Sequence, residues 1–130
     1  MKKILQKYLI NASIKSVWQA LVDSKMIEDW SGGPAKMSAI ETSEFSLWGG
    51  DIYGKNVEVF PNQKLVQEWQ EKKWDKPSKV TFNLKSKGDK TEIELIHENV
   101  PDSSFKDITL GWKDYYLGPL KKYLEDRFIS

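Results

Sequence analysis

The amino-acid sequence predicts an α+β fold in which a curved antiparallel sheet of about six or seven strands wraps one long C-terminal helix, with two short helices after the first strand. Three observations predict it. Between residues 35 and 98, turn-forming groups cut the chain into short β-type segments. Two of these alternate cleanly, with Val80, Phe82 and Leu84 on one face of the first and Ile93, Leu95 and His97 on one face of the second. From about 104 to 126 the spacing changes: Ile108, Trp112, Tyr115/Tyr116, Leu120 and Tyr123/Leu124 step by three and four, the period of an amphipathic helix. Helical spacing near the start is confined to two short stretches.

Residues 2–10 read as the first strand, with Ile4, Tyr8 and Ile10 on one face and Leu5 and Leu9 on the other. Asn11-Ala12-Ser13 ends it, and Ser13 is a good N-cap for a helix that carries Ile14, Val17, Trp18 and Leu21 to about Asp23. A second helix, from about Ser24 to Trp30, places Met26, Ile27 and Trp30 on its buried side until Ser31-Gly32-Gly33-Pro34 breaks it. Strands are then expected at 35–41, 44–48, 51–60, 64–72, 78–86 and 90–98. Gly49-Gly50-Asp51, Pro61-Asn62, Asp75-Lys76-Pro77 and Gly88-Asp89 supply turns between them. Thr81, Asn83, Lys85, Glu92 and Glu94 fall on a wet outer face, as in an antiparallel sheet covered on one side. The final helix is the natural lid for the inner face. Gly118-Pro119 should interrupt it, because proline inside a helix removes a donor and crowds the preceding turn.

At 130 residues the chain is expected to be one domain, 1–130. Twenty basic and nineteen acidic residues leave a net charge of +1, so no global field favours nucleic acid or an anionic membrane. The absence of cysteine excludes a disulfide framework, a thiolate nucleophile and a cysteine-based zinc site. With a single histidine, the usual zinc sets cannot be assembled, and no metal or cofactor is expected. Neither glycine pair has the lysine and Ser/Thr of a phosphate loop, and no serine lies in a glycine-flanked elbow. No apolar run approaches the roughly 18 residues of a membrane helix, and no apolar segment follows Met1-Lys2-Lys3 as in a signal peptide. A soluble, cytoplasmic protein is the expectation. The lysines at 72, 73, 76 and 79 around Trp74 suit a solvated turn with a locally packed tryptophan better than a nucleic-acid-binding edge.

Four motifs in order carry a family resemblance. They are Ile10-Asn11-Ala12-Ser13 with Val17-Trp18-Gln19-Ala20-Leu21-Val22-Asp23; Phe45-Ser46-Leu47-Trp48-Gly49-Gly50-Asp51-Ile52-Tyr53-Gly54; Leu65-Val66-Gln67-Glu68-Trp69; and Asn99-Val100-Pro101 leading to Gly111-Trp112-Lys113-Asp114-Tyr115-Tyr116. Together they resemble the START-like (helix-grip, birch-pollen-allergen-like) superfamily, and within it the C-terminal domain of the activator of heat-shock-protein-90 ATPase. The resemblance spans essentially the whole chain. It implies a helix-grip fold, an apolar cavity between sheet and helix for a hydrophobic small molecule, and a heat-shock-protein-90 class chaperone as a partner. The full activators also carry an N-terminal domain linked to ATPase stimulation, which nothing before Ile10 encodes.

His97 shares a face with Ile93 and Leu95 and should point inward, either as a ligand anchor or base or as a core histidine satisfied by a neighbour. Six tryptophans exceed what turns need, and they serve either a packed core or an aromatic-lined pocket. The candidate cavity set is Trp48, Asn56, Trp69, Phe82, Leu95, His97, Trp112, Tyr115 and Tyr116, with Asn56, His97 and the two tyrosines as polar anchors. Three readings follow: a hydrophobic-ligand binding domain, a co-chaperone interaction module, or a cyclase- or hydrolase-like enzyme using His97 or a tyrosine. The first is favoured, and catalysis is disfavoured by the lone histidine and missing cysteine. Nothing in the sequence sets an oligomeric state.

Overall fold

The computed structural model describes residues 1–127, and among them seven strands form one antiparallel sheet in the order β1-β7-β6-β5-β4-β3-β2. The strands are β1 (Lys2–Ile10), β2 (Ala35–Lys36), β3 (Glu44–Leu47), β4 (Ile52–Phe60), β5 (Lys64–Gln70), β6 (Ser78–Lys87) and β7 (Lys90–Val100). Two short helices, α1 (Ile14–Val22) and α2 (Ser24–Ser31), lie between β1 and β2. The C-terminal helix runs as α3 (Phe105–Gly111), a π-helical turn (Trp112–Tyr116) and α4 (Leu117–Arg127). This is the helix-grip architecture. No helix among the described residues is long and apolar enough to cross a membrane.

Local chemistry sets the element ends. Ser13 caps α1 by accepting the Ser16 N–H at 3.2 Å, and Asp23 caps α2 by accepting the Met26 N–H at 3.3 Å. Hairpins join β3 through β7 in sequence, while β1 closes the far edge against β7. There the C-terminal helix meets the open edge of β1. The Lys121 ammonium donates to the Leu9 carbonyl at 2.8 Å, and the Asn11 N–H donates to the Glu125 carboxylate at 2.9 Å.

The period of two sorts the faces. Val80, Phe82, Leu84, Ile93, Leu95 and His97 are buried on the concave face, packed under the helix residues Trp112, Tyr116, Leu117, Leu120 and Leu124. On the convex face, opposite charges alternate across neighbouring strands as Glu44, Lys55, Glu68, Lys79 and Glu98. Each such cross-strand pair contributes a few tenths of a kcal/mol to roughly 1 kcal/mol, and together they pin the register.

Three expectations change. Of residues 35–41 only Ala35 and Lys36 are strand, because the rest of the segment is held by side chains instead of a ladder. The Met37 N–H donates to Ser24 Oγ at 2.8 Å, and the Ser38 and Ile40 carbonyls accept from the Asn56 amide at 2.9 and 3.1 Å. Thr81, assigned to the wet face, is buried: it stands between Val66 and Ile96 in register, and these β-branched neighbours shield it.

The third change concerns Gly118-Pro119, which does not end the helix. One turn earlier the winding widens, and the Leu117 N–H donates to the Trp112 carbonyl five residues back. A regular α-helix would press the Pro119 ring against the Tyr115 carbonyl, and the π turn relieves that crowding. The cost falls on residue 118, where a Cβ would lie 2.0 Å from the Lys113 carbonyl oxygen, so only glycine fits. Gly118→Ala should therefore destabilise the fold by about 2 kcal/mol or more in a urea melt, an overpacking penalty against backbone. A loss within about 0.5 kcal/mol of wild type would mean the π turn relaxes freely and is not locked by this glycine.

Candidate functional site

The concave face brings its polar side chains onto one cross-strand row, in which Asn56 on β4, Gln67 on β5, Val80 on β6, His97 on β7 and Ile4 on β1 are successive partners. Each polar member is buried. Each must therefore find its hydrogen bonds inside the protein.

His97 finds two. The Trp112 indole N–H donates to His97 Nδ1 at 3.0 Å, and His97 Nε2 lies 2.7 Å from Ser78 Oγ. An indole nitrogen only donates, so Nδ1 is the bare acceptor and the ring proton sits on Nε2, donating to Ser78. The Ser78 hydroxyl then donates to the Trp69 carbonyl at 3.2 Å. Burial holds the imidazole down at about 3, so it is neutral at physiological pH. With both nitrogens engaged, His97 is a structural hub, satisfied by two neighbours where the sequence suggested one.

A second chain starts from the same tryptophan. The Trp69 indole N–H donates to Gln67 Oε1 at 2.9 Å, and the Gln67 amide donates to Asn56 Oδ1 at 3.0 Å. Asn56 in turn holds the Ser38–Ile40 loop. Asn56 thus has its carbonyl and amide groups committed to the protein.

Between the β3–β4 turn and the C-terminal helix lies a cleft of about 120 Å³, lined by Trp48, Ile52, Trp69, Asp107, Ile108, Gly111, Trp112, Tyr115 and Tyr116. The π turn contributes three of these, with Trp112 and Tyr116 buried inside and Tyr115 exposed at the mouth. Tyr116 is the hub of the rings: its centroid lies 4.7 Å from Trp30, 4.8 Å from Trp112, 5.6 Å from Trp69 and 5.9 Å from Phe82. Its hydroxyl is buried and meets no hydrogen-bond partner among the described residues, and burial pushes its ionisation well above the usual range. Leaving such a group unpaired costs about 1–3 kcal/mol.

Trp48 forms the outer wall under backbone strain. Its φ is +51°, a left-handed conformation costly for a bulky side chain, and Gly49 follows at +69°. The ring lies over Gly33, where an added Cβ would stand 2.5 Å from Trp48 Cδ1. Gly33 therefore clears the seat for this ring.

Of the nine candidate residues, Trp48, Trp69, Trp112, Tyr115 and Tyr116 line the cleft. Phe82 supports it through Tyr116, and Leu95 pairs with Phe82 in register beneath. Asn56 and His97 lie behind the aromatic wall as structural ties. Sequence reasoning missed Ser78 and Gln67, each two residues from a recognised inward position, and also Ile52, Asp107, Ile108 and Gly111. For the last three the signal was present, since they step with Trp112 and Tyr115 along one side of the helix. Trp74, separately, is buried, but its indole N–H donates to Ser104 Oγ at 3.4 Å, thirty residues away, so its partner lies at the entry to the C-terminal helix and not within its own turn.

Comparison with known proteins places this geometry. The family model described as "Activator of Hsp90 ATPase homolog 1-like protein" matches residues 11–125. Among curated relatives, the mouse activator of 90 kDa heat shock protein ATPase homolog 2 is 22% identical over 119 residues, covering 90% of this chain and 36% of its own length. An uncharacterized Schizosaccharomyces pombe protein is 25% identical over 120 residues, 91% of this chain and 36% of that protein. The chain thus spans about a third of the length of these relatives. Among solved structures, an HSP90 activator from Plasmodium falciparum superposes with a TM-score of 0.85 at 22% identity, covering 91% of this chain and 92% of the other. CalU16 from Micromonospora echinospora superposes at 0.83 with 24% identity, over 98% and 78% of the two chains. At these identities the superpositions establish the fold.

The neutral His97 hub carries a pH signature. Its folded value, about 3, lies below the ordinary value near 6.5, so its contribution to stability is complete above pH 6.5 and is lost as pH falls toward 3. The stability gap between wild type and His97→Gln, which keeps a donor and an acceptor but does not titrate, should narrow by about 1.4 kcal/mol per pH unit below 6.5. Urea melts at stepped pH measure it, and a constant gap would show that the imidazole protonates freely within the fold.

Proposed function

The chain belongs to the activator of Hsp90 ATPase homolog 1-like family, and from that membership and the aromatic cleft beneath Trp48 we propose that it is a binding module seating one hydrophobic group between sheet and C-terminal helix. The size of the cleft carries this reading. A dry cavity of about 150 Å³ takes a benzene-sized molecule, whereas drug-sized ligands occupy roughly 300–1,000 Å³. At about 120 Å³ this cleft suits a single ring or a cluster of methyls, with the rest of the ligand outside.

Magnitude limits what the cleft can do alone. Burying an aromatic group of about 150 Å² at roughly 25 cal/mol per Å² yields about 4 kcal/mol, the equivalent of a millimolar Kd. Tighter binding requires contacts outside the cleft. That supports a second reading in which the partner is a heat-shock-protein-90 class chaperone and the cleft receives one anchoring side chain. The Plasmodium falciparum protein, matched over nearly its whole length, is described as an HSP90 activator. The absence of cysteine supports placing the module in a reducing cytoplasm.

Indole is a suitable probe. It should bind saturably in the low millimolar range, shifting the indole N–H resonances of Trp48, Trp69 and Trp112, and Ile108→Trp should fill the cleft and abolish the shifts. No saturable shift up to the solubility limit would remove the apolar-group reading. Tyr116→Phe, which deletes the unpaired hydroxyl, should raise stability by about 1 kcal/mol. For the chaperone, a titration showing no resonance change at about 50 µM would end the second reading.

A further inference from the structure

The cleft differs electrically from the rest of the surface. The chain carries twenty Lys and Arg residues, yet none of those described lines the cleft, and Asp107 is its one charged residue. Each of the four other main concavities of the described residues is lined by at least one of them: Lys73 and Lys76 in one, Lys55 in another, Lys113 and its neighbours in the third, Arg127 in the fourth. The aromatic walls are also set at angles. The Tyr116 ring is inclined 60° to Trp112, 51° to Trp69 and 73° to Trp48, while Trp69 and Trp112 lie closer to parallel, at 33° and 4.8 Å between centroids. Aromatic faces are negative, and a cation within about 6 Å of a ring centroid is attracted to them.

We propose that the cleft recognises a small alkylated ammonium ion, with its methyl groups among Trp48, Trp69, Trp112, Tyr115 and Tyr116 and Asp107 supplying countercharge at the mouth; this rests on the apolar-group reading above. A trimethylammonium head is close to benzene in size and presents an apolar surface around a positive centre, so it satisfies both the volume and the charge of the site. The occupant is a free small molecule. The four other concavities have lining residues of their own, none shared with the cleft.

The test compares choline with its neutral isostere, in which carbon replaces the quaternary nitrogen, by calorimetry and by the indole N–H resonances of the intact protein. Choline should bind about fivefold tighter than the isostere. Asp107→Asn, at an exposed position that leaves the fold intact, should weaken choline about threefold and leave the isostere unchanged. Equal or tighter binding of the isostere would overturn the cation assignment while leaving the apolar cleft standing. Binding of neither would remove both. A trimethyllysine peptide binding at least about tenfold tighter than choline would overturn the small-molecule assignment in favour of a protein source.

Discussion

The hydrogen bond from the Trp112 indole to His97 Nδ1 holds this architecture together, because it joins the C-terminal helix to the floor of the sheet at the centre of the core. It fixes the tautomer of the histidine, and the tautomer fixes the next bond to Ser78 and so the orientation of the Trp69 carbonyl. Trp69 then sends its own N–H through Gln67 to Asn56, and Asn56 holds the loop of residues 38–40. A helix lying on an apolar sheet by hydrophobic contact alone could slide or rotate. One buried polar chain from helix to loop removes that freedom, because moving any member leaves a desolvated donor or acceptor unpaired.

That constraint explains the π turn. Trp112 has to reach His97 while Tyr116, four residues later, stacks on Phe82 and meets Trp30 edge-on. At 3.6 residues per turn, positions four apart are about 40° out of line. Widening the turn draws both side chains onto the inner face. It also gives Pro119 a place in a continuous helix, at the expense of a glycine requirement at 118. Proline, glycine and the two buried aromatics are thus one solution to a single packing problem.

Much of this was legible in the residues. The alternation through Val80–Leu84 and Ile93–His97 gave the concave face, the three-and-four spacing after residue 104 gave the lid, and Ser13 announced the helix behind it. Other features had no local signature. Gly118-Pro119 signals trouble in a helix, but whether the chain breaks or rewinds depends on what Trp112 and Tyr116 must touch. Thr81 reads as solvent-facing until Val66 and Ile96 are placed beside it by strands from elsewhere in the chain. His97 was read as inward from periodicity alone, yet its role depended on Trp112 and Ser78, fifteen and nineteen positions away. Asn56 was a candidate polar anchor, and its partners Gln67 and the Ser38 and Ile40 carbonyls could not be read from its own strand.

The partition between structural and available groups follows from this. The polar groups of the row behind the cleft have hydrogen bonds within the protein: His97 with Trp112 and Ser78, Gln67 with Trp69 and Asn56, and Ser78 with the Trp69 carbonyl. The Tyr116 hydroxyl has no such partner among the described residues, and Tyr116 lines the same cleft as Trp48, whose left-handed backbone holds its ring against Gly33. Strain, an unpaired hydroxyl and a widened helical turn each cost stability, and all three fall on the lining of one cleft. A core selected for packing alone would scatter such costs or remove them by substitution. Their convergence on a ring-sized space argues that the cleft wall, more than the polar row behind it, is where this fold departs from simple packing.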